Sequence, residues 1–308
     1  MGGPAELVMM GYVAQRYYRD GLNRIQIADE VGVSRFKVAR LLQAARERGL
    51  VRITINMPDS IDLDLSIQLR EKFGLQRAVV VRTPERDPEA GRASLAESAA
   101  QLLTEVVEEG DVLGLTAGRT LTAMAHRVGS MIPCEVVQLS GVAGSHPDNG
   151  VEVVRAIGGA SGGRQHPIYA PLFVASPHTA SALRQEPAIA STLRRFDTVT
   201  KAFVAVGSWD PPESQVFDKA AAQGILGELQ QQGVQADVCA TLLAADGRVL
   251  PGVADRAISI SERQLRVIPE VIAVAGGARK AAAIKAALTS GIVDSLITDA
   301  AAARSLLR

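Results

Sequence analysis

Residues 23–48 read NRIQIADEVGVSRFKVARLLQAARER, and their spacing predicts two short helices joined by a tight turn. Asn23 is a residue type that caps helix starts, and Gly32 can end the first helix in a left-handed conformation. Ser34 is placed to cap the next helix. The small Ala28, four residues before Gly32, lets two helices approach closely and cross at a large angle. This spacing is typical of a helix-turn-helix, although a helical hairpin with no role in DNA binding can share it.

Two further elements are predicted around this motif. Apolar residues at helical spacing indicate a helix over residues 6–19. Residues 50–56, LVRITIN, alternate apolar and polar side chains as a half-buried strand does. A strand beside the last helix is typical of the winged variety of this motif. Met57 and Pro58 break the pattern, so we predict a DNA-binding domain over residues 1–56.

The third predicted helix exposes a basic and polar face on the side away from Val38 and Leu41. Arg35 has the geometry to pair guanine, Gln43 can pair an adenine edge, and Lys37 is expected to contact phosphate. For any single arginine, the alternative is an ordinary solvated helix face. The candidate DNA-binding residues are Ser34, Arg35, Phe36, Lys37, Arg40 and Gln43.

The charge distribution supports a division of the chain. The 308 residues include 33 Lys plus Arg and 33 Asp plus Glu, so the net charge is zero. Residues 1–56 nevertheless hold nine basic and five acidic side chains, and the remainder is acidic by the same margin. A basic head on an acidic body suggests that only the head faces a polyanion such as double-stranded operator DNA.

Composition excludes several classes of protein. Hydrophobic residues make up 47% of the chain, as in globular proteins, yet no apolar run is long enough to span a bilayer. The amino terminus lacks the pattern of a secretory signal. Cys134 and Cys239 stand 105 positions apart with no metal-ligand spacing around them. We therefore expect a cytoplasmic protein with reduced, buried thiols, no metal, no cofactor and no membrane partner.

A connector helix is predicted over residues 57–75. Ile61, Leu65, Leu69 and Phe73 recur every four residues and form an apolar stripe. This stripe either pairs subunits or packs against the rest of the chain. A helix-turn-helix usually works as a dimer on a two-fold site, so some surface for self-association is expected.

Residues 76–308 alternate short apolar runs with longer helical patterns. This alternation predicts an α/β fold with a mostly parallel sheet covered by helices on both faces. The predicted strands are 78–81, 111–116, 135–140, 202–207, 236–243 and 271–276. The predicted helices are 89–108, 120–128, 179–195, 219–232 and 279–289.

Several of these strands run directly into glycine. One turn carries Gly118, Arg119 and Thr120, and another carries Gly276 and Gly277 ahead of Lys280. Such turns share the carboxyl edge of a parallel sheet, where glycine lets the backbone approach a ligand and basic side chains favour an anion. The pattern predicts a phosphate-binding site, although tight connections between strands and helices need glycine in any case.

An enzyme that acts on a sugar phosphate, such as an isomerase or deaminase, is the alternative function. It would need a carboxylate and often a histidine beside the same turns. The four histidines of this chain fall in no recognisable acid–base spacing, and no pair of aspartates is singled out. We therefore predict no catalytic residue. A module that only tethers DNA, and binds no small ligand, is a third hypothesis.

The order of the motifs resembles the SorC-type sugar-responsive bacterial transcriptional regulators over nearly the whole chain. The segments that carry the resemblance are residues 12–55, 111–121, 136–144, 202–211, 236–250, 255–288 and 293–299. The resemblance implies a winged helix-turn-helix followed by a Rossmann-like α/β/α effector domain. That domain would bind a phosphorylated sugar without converting it, control a carbohydrate-metabolism operon, and assemble as a dimer of dimers.

The resemblance also assigns residues to the effector site. The phosphate loop of the family falls on residues 114–120, and Ala117 replaces its usual tryptophan. Ala205 replaces a usual glycine, which leaves the identity of the effector open. The candidate effector-binding residues are Thr116, Gly118, Arg119, Thr120, Gln138, Gly141, Asp237, Gly276, Gly277 and Lys280.

Overall fold

A computed structural model describes residues 3–54, 60–84, 87–143 and 150–308. Its internal contacts divide the chain into two compact units, Met1–Met57 and Pro58–Arg308. The first unit is called the head below, and the second is called the body. Each is described by itself.

The head contains three helices. They are α1 (Pro4–Tyr18), α2 (Arg24–Val31) and α3 (Arg35–Glu47). Asn23 accepts hydrogen bonds from the backbone of Ile25 and Gln26, which fixes the start of α2 as the sequence predicts. Gly32 ends α2 at φ 68°, a left-handed conformation that glycine adopts without strain. The predicted helix-turn-helix is therefore present.

The core of the head is formed by one face of each helix. Met10, Val13, Ile27 and Val38 are fully buried in it. The side chain of Arg16 on α1 also pairs with Glu30 on α2 at 2.6 Å, and the Tyr12 hydroxyl donates to the same carboxylate at 2.7 Å. These contacts fix the angle between α1 and α2.

The predicted wing strand is not found where the structure describes it. Residues 50–54 form bends and irregular backbone, and Ile53 is exposed. Residues 55 and 56 lie outside the described part of the chain. An isolated strand has no partner for its backbone hydrogen bonds, so alternation alone did not suffice to predict one.

The larger sheet of the body is parallel, as expected. Within the described residues it has seven strands in the order β1-β12-β11-β5-β2-β3-β4, and every neighbouring pair is parallel. The strands are β1 (Arg77–Val81), β2 (Val112–Leu115), β3 (Glu135–Gln138), β4 (Gln165–His166), β5 (Lys201–Val204), β11 (Glu270–Val274) and β12 (Ser295–Asp299).

Helices cover both faces of this sheet. Side chains alternate along β5, so that Phe203 points to one face while Ala202 and Val204 point to the other. One layer holds α5 (Pro88–Val106), α6 (Arg119–Ala125) and α7 (Gly150–Ser161). The other holds α4 (Leu63–Phe73), α13 (Ala281–Thr289) and α14 (Ala300–Leu307). The body is thus the predicted α/β/α sandwich.

The predicted connector helix is part of this sandwich. Leu69 of α4 is fully buried in the same core as residues of β1, α13 and α14. The Lys72 amine donates to the backbone carbonyl of Leu306 at 2.9 Å, which ties α4 to α14. Of the two roles open to the apolar stripe, packing against the body is therefore observed. Ile67 remains 46% exposed on the opposite side.

A second, antiparallel sheet was not expected from the sequence. Its strand order is β10-β9-β8-β6-β7. The strands are β6 (Gly207–Trp209), β7 (Pro212–Glu213), β8 (Val234–Val238), β9 (Thr241–Ala244) and β10 (Val249–Leu250).

Two strand predictions are corrected by this sheet. The predicted strand 236–243 is a hairpin, because Cys239 and Ala240 turn the chain with φ values of 51° and 62°. Residues with side chains seldom adopt that conformation, so no glycine or asparagine signalled the turn. The predicted strand 202–207 ends at Val204, and Gly207 already belongs to β6.

The remaining differences concern helices. Residues 179–195 form two helices, α8 (Pro177–Gln185) and α9 (Pro187–Leu193), because Pro187 starts a new one. Residues 219–232 belong to α10 (Gln215–Ala222) and α11 (Leu226–Gln231), which Gly224 separates at φ 72°. A short α12 (Glu262–Leu265) precedes β11. Helices α7 and α14 and strands β4 and β12 were not predicted from the sequence. Within the described residues, no helix has the length and hydropathy needed to cross a bilayer.

Replacing Leu69 tests the packing of α4. Leu69→Ala should lower the free energy of unfolding of the body by about 2–5 kcal/mol, because it leaves a cavity in a fully buried position. Ile67→Ala, on the exposed side of the same helix, should change it by less than about 0.5 kcal/mol. Urea unfolding followed by fluorescence of the single tryptophan, Trp209, measures both. Equal small effects would mean that α4 is only a connector.

Candidate functional site

Helix α3 presents the six residues predicted to bind DNA, and all six are exposed. Ser34 caps the helix, since its hydroxyl accepts a hydrogen bond from the backbone of Lys37 at 3.2 Å. The Arg35 guanidinium lies over the ring of Phe36, 5.0 Å from its centroid, and that ring is 68% exposed. An exposed aromatic ring under an arginine at the start of a helix is suited to contact base edges and thymine methyl groups.

Toward the end of α3, one candidate DNA-binding residue, Gln43, already has a hydrogen-bond partner within the helix. The side-chain amide of Gln43 donates to the carboxylate of Glu47 at 2.8 Å, one turn further along α3. Reading an adenine edge would require Gln43 to exchange this contact for the base. Lys37 and Arg40 extend from the exposed side, where they can reach phosphate.

The second candidate site lies at the carboxyl edge of the large sheet. Strand β5 is flanked by β2 on one side and β11 on the other. The helix after β2, α6, lies on one face of the sheet, whereas α13, which follows β11, lies on the opposite face. Such a reversal leaves a crevice beyond the strand ends, which is where open α/β sheets bind ligands.

The turn after β2 is fixed by contacts with β5. Thr116 is buried, and its hydroxyl accepts a hydrogen bond from the backbone of Ala205 at 3.1 Å. Gly118 has φ 153°, and a Cβ there would lie 3.1 Å from the Cβ of Ala205. The hydrogen bond between Thr116 and the backbone of Ala205 therefore ties the turn after β2 to the end of β5. Arg119 is exposed and Thr120 is half-buried on the first turn of α6.

The turn after β11 is fixed by Asp299, which ends β12. Its carboxylate accepts hydrogen bonds from the backbone of Gly277 and, at 2.8 Å, of Ala302. Gly276 has no room for a side chain, because a Cβ would overlap the carboxylate of Asp299 and the side chain of Leu95. Lys280 then reaches across β5, where its amine donates to the carbonyl oxygen of Val206 at 2.7 Å.

Asp237 comes to this edge from the small sheet. It is buried in β8, and its Oδ1 accepts hydrogen bonds from the indole of Trp209, at 2.9 Å, and from the hydroxyl of Ser214. Gly207 faces it across the β6–β8 ladder, and any side chain there would overlap the carboxylate. The glycine at position 207 is thus explained by a buried acid rather than by a ligand.

The charged groups of this edge act on one another. Burial raises the pKa of Asp237, against hydrogen bonds from Ser214 and Trp209 and the charge of Lys280. Burial lowers the pKa of Lys280, against the charges of Glu213 and Asp237. Each group is kept near an opposite charge that offsets part of its desolvation.

Two charged residues at this edge, Glu213 and Arg92, were not predicted from the sequence. The guanidinium of Arg119 pairs with the carboxylate of Glu213 on β7, with Nη2 and Oε2 3.3 Å apart. Arg92 lies one turn before Leu95 on α5, and its charge, like that of Arg119, lowers the pKa of Lys280. No motif marks either residue, since a long helix and an unrecognised strand bring them to the edge.

Gln138 and Gly141, at the end of β3, make their close contacts with backbone atoms of the body. The amide of Gln138 is fully buried, donates to the carbonyl of Ser140 at 2.6 Å and accepts from the backbone of Ile168 at 3.0 Å. A Cβ on Gly141 would lie 2.6 Å from the carbonyl oxygens of Ala170 and Pro171. Both residues thus have structural reasons for their identity.

The cluster thus consists of Arg92, Arg119 and Lys280 with the acids Glu213 and Asp237, around glycine turns. Cations beside a glycine turn favour an anion, and carboxylates favour hydroxyl donors. In the described part of the chain, no group of three or more His, Cys, Asp or Glu side chains is arranged to hold a metal ion. The arrangement is therefore suited to bind a small molecule that carries both an anionic group and hydroxyls.

Comparison with known proteins places the chain in a family. Residues 59–308 match the family model Sugar-bind, described as "Putative sugar-binding domain". The chain is 34% identical over 312 residues to the transcriptional regulator YjhU of Escherichia coli (strain K12), with 94% of this chain and 92% of that protein covered. It is 30% identical to the transcriptional regulator LsrR of Klebsiella pneumoniae, with 98% and 94% covered.

Solved structures agree with these relatives. The full-length sorbitol operon regulator SorC from Klebsiella pneumoniae has the same fold, with a TM-score of 0.75, 23% identity, and coverage of 99% of this chain and 100% of that one. A domain of a possible sugar-binding transcriptional regulator from Arthrobacter aurescens is 26% identical, with a TM-score of 0.70 and coverage of 80% and 97%. All four are described as regulators. The chain therefore belongs to the SorC family and is a DNA-binding transcriptional regulator.

Proposed function

We propose that this regulator reads an operator with the first turn of α3 and that a phosphorylated sugar at the strand edge of the body controls its binding. The observation that carries the proposal is the charged cluster, in which the cations Arg119 and Lys280 stand beside the buried Asp237. A phosphosugar has matching groups, namely a dianion and several hydroxyls. The regulated operon is proposed to serve carbohydrate metabolism, and the protein to work in the cytoplasm.

The roles in the head follow from exposure and reach. Arg35 and Phe36 stand at the start of α3, where recognition helices meet base edges in the major groove. Lys37 and Arg40 would contact phosphate, and Ser34 would hold the first turn in place through its cap. Gln43 would contribute only after leaving Glu47.

The roles in the body follow from charge. Arg119 and Lys280, with Thr120 and the backbone of Gly118 and Gly276, would hold the phosphate. Gly277, whose backbone N–H donates to the carboxylate of Asp299, would shape the turn. Asp237 would accept a hydrogen bond from a sugar hydroxyl through the oxygen that Trp209 and Ser214 leave unused. Gln138, Gly141 and Thr116 would support the site without touching the ligand, since their polar groups are bonded within the chain.

Control of DNA binding requires two arrangements of the protein. A ligand shifts an equilibrium only by its difference in affinity for the two states. We propose that these states are arrangements of a dimer or tetramer, because a two-fold operator is bound by paired heads. Light scattering with and without the effector would measure the assembly.

Replacing Arg35 tests base reading. Arg35→Ala should weaken binding to the preferred site by about 1–3 kcal/mol and relax the preference at one base position, because the bidentate contact is lost. Selection of bound duplexes from a randomised pool measures the preference. Lys37→Ala is the contrast: it should weaken all duplexes alike and reduce the slope of log affinity against log salt by about one. An unchanged base preference in Arg35→Ala would contradict the assignment.

Replacing Lys280 tests the effector site. Lys280→Ala should leave operator affinity unchanged and abolish the shift caused by the effector, because the half-buried cation is lost. Lys285→Ala, on the exposed side of α13, should keep that shift. A panel of sugar phosphates, titrated against the selected duplex and followed by fluorescence anisotropy, measures both variants. No shift of the wild-type protein with any sugar phosphate would count against a phosphorylated effector.

The raised pKa of Asp237 predicts a pH-dependent stability. Between the ordinary pKa of 3.8 and the raised pKa of the folded protein, the folded state binds more protons than the unfolded state. The contribution of Asp237 to stability therefore falls as the pH rises through this window. Asp237→Asn keeps an acceptor oxygen and cannot ionise, so it should gain stability relative to wild type as the pH rises above about 4. Urea unfolding followed by circular dichroism tests this, and a pH-independent difference would contradict it.

A further inference from the structure

Arg119 already has an anionic partner from its own chain. Its guanidinium pairs with Glu213 across the crevice, from α6 of the large sheet to β7 of the small sheet. The side chain of Glu213 is 34% exposed and that of Arg119 is 55% exposed, so a ligand can reach both. The position assigned to the effector anion is thus occupied by a carboxylate.

The same carboxylate acts on the second cation. Burial lowers the pKa of Lys280, and Glu213 is the charge that opposes this lowering most strongly, ahead of Asp237. Glu213 therefore pairs with Arg119 and lies close enough to Lys280 for its charge to act on that amine. An incoming phosphate that bound these two cations would stand beside Glu213 and be repelled by it.

Glu213 is held in this position by its neighbour in sequence. Ser214 donates its hydroxyl to Asp237, and the same oxygen accepts hydrogen bonds from the backbone of Val216 and Phe217 at 3.0 and 3.2 Å. Ser214 thus caps α10 and anchors the end of β7. This anchor fixes the backbone beside Glu213. The Glu213 side chain can therefore leave Arg119 only by changing its rotamer or by moving the β6–β7 pair.

We propose that Glu213 is an internal competitor for the effector, which occupies the cationic site and which the phosphate group must displace. This inference rests on the proposed phosphosugar site and adds a specificity-determining residue to it. A phosphate group carries about −1.5 to −2 charges at neutral pH, against one on the carboxylate, so it can exchange places with Glu213. A neutral sugar gains nothing from such an exchange.

The displacement would also transmit ligand binding to the small sheet. When Glu213 leaves Arg119, the end of β7 and the start of α10 lose a tie to the large sheet. The effector would therefore change two segments that it does not itself contact. Residues 212–222 are the part of the chain in which this change should be seen.

The experiment compares the full-length wild type with Glu213→Gln. Inorganic phosphate and a set of sugar phosphates are titrated by calorimetry and by thermal shift. Glu213→Gln should bind phosphate and the recognised sugar phosphate at least about fivefold more tightly, because the competing charge is gone. Glu228→Gln, which removes an exposed acid from α11 and keeps the same net charge change, should bind as wild type does.

A double variant ties the effect to Arg119. In the Arg119→Ala background, Glu213→Gln should no longer tighten binding by the full amount, because its partner is absent. If wild type binds a sugar phosphate and Glu213→Gln binds it equally or more weakly, Glu213 is not a competitor, and the proposed function still stands. If none of the proteins responds to phosphate or to any sugar phosphate, the proposed effector site fails as well.

Hydrogen exchange supplies a second readout that does not depend on affinity. In wild type, the recognised sugar phosphate should raise exchange in residues 212–222 at least about twofold. In Glu213→Gln, exchange there should already be raised without ligand and change little upon binding. Exchange that is unaffected by bound ligand in the wild type would overturn the displacement.

Discussion

The parallel pairing of β5 between β2 and β11 is the constraint on which the body depends. It brings two turns that are about 160 residues apart in sequence, at Gly118 and at Gly277, to opposite sides of one strand end. The hydrogen bonds from Ala205 to Thr116 and from Lys280 to Val206 then join all three strand ends. Because backbone pairing sets the spacing of these strand ends, the turns that carry Arg119 and Lys280 cannot separate without disrupting the sheet.

Burying charge at such an edge is unfavourable unless opposite charges and hydrogen bonds accompany it. The small sheet meets this requirement. It contributes Asp237, which accepts hydrogen bonds from Trp209 and Ser214. It also contributes Glu213, which pairs with Arg119. Glycine at positions 207 and 276 leaves room for the carboxylates of Asp237 and Asp299. The proposed effector site is therefore made by the two sheets together: Arg119 and Lys280 follow strands of the large sheet, whereas Asp237 and Glu213 come from the small sheet.

Two cations of the candidate site, Arg119 and Lys280, could be predicted because they follow strands directly. Arg119 and Lys280 stand next to glycine turns, and the carboxyl edge of a parallel sheet collects such turns. Glu213 and Arg92 could not be predicted in this way. Glu213 lies on a two-residue strand of a sheet with no clear sequence pattern, and Arg92 lies within a long helix that shows nothing of its orientation. Gln138 and Gly141 carried a family assignment, yet their contacts are with the backbone of the body.

The sequence by itself determined the local elements of the head, because Asn23, Gly32 and Ser34 fix helix ends through contacts within a few residues. It also determined the α/β character of the body, because buried parallel strands are continuously apolar. Only the tertiary structure decided that α4 packs into the body, that residues 236–243 fold as a hairpin, and that Glu213 meets Arg119. Those features depend on contacts between residues far apart in the chain, and no periodicity or local propensity encodes which distant segments will meet.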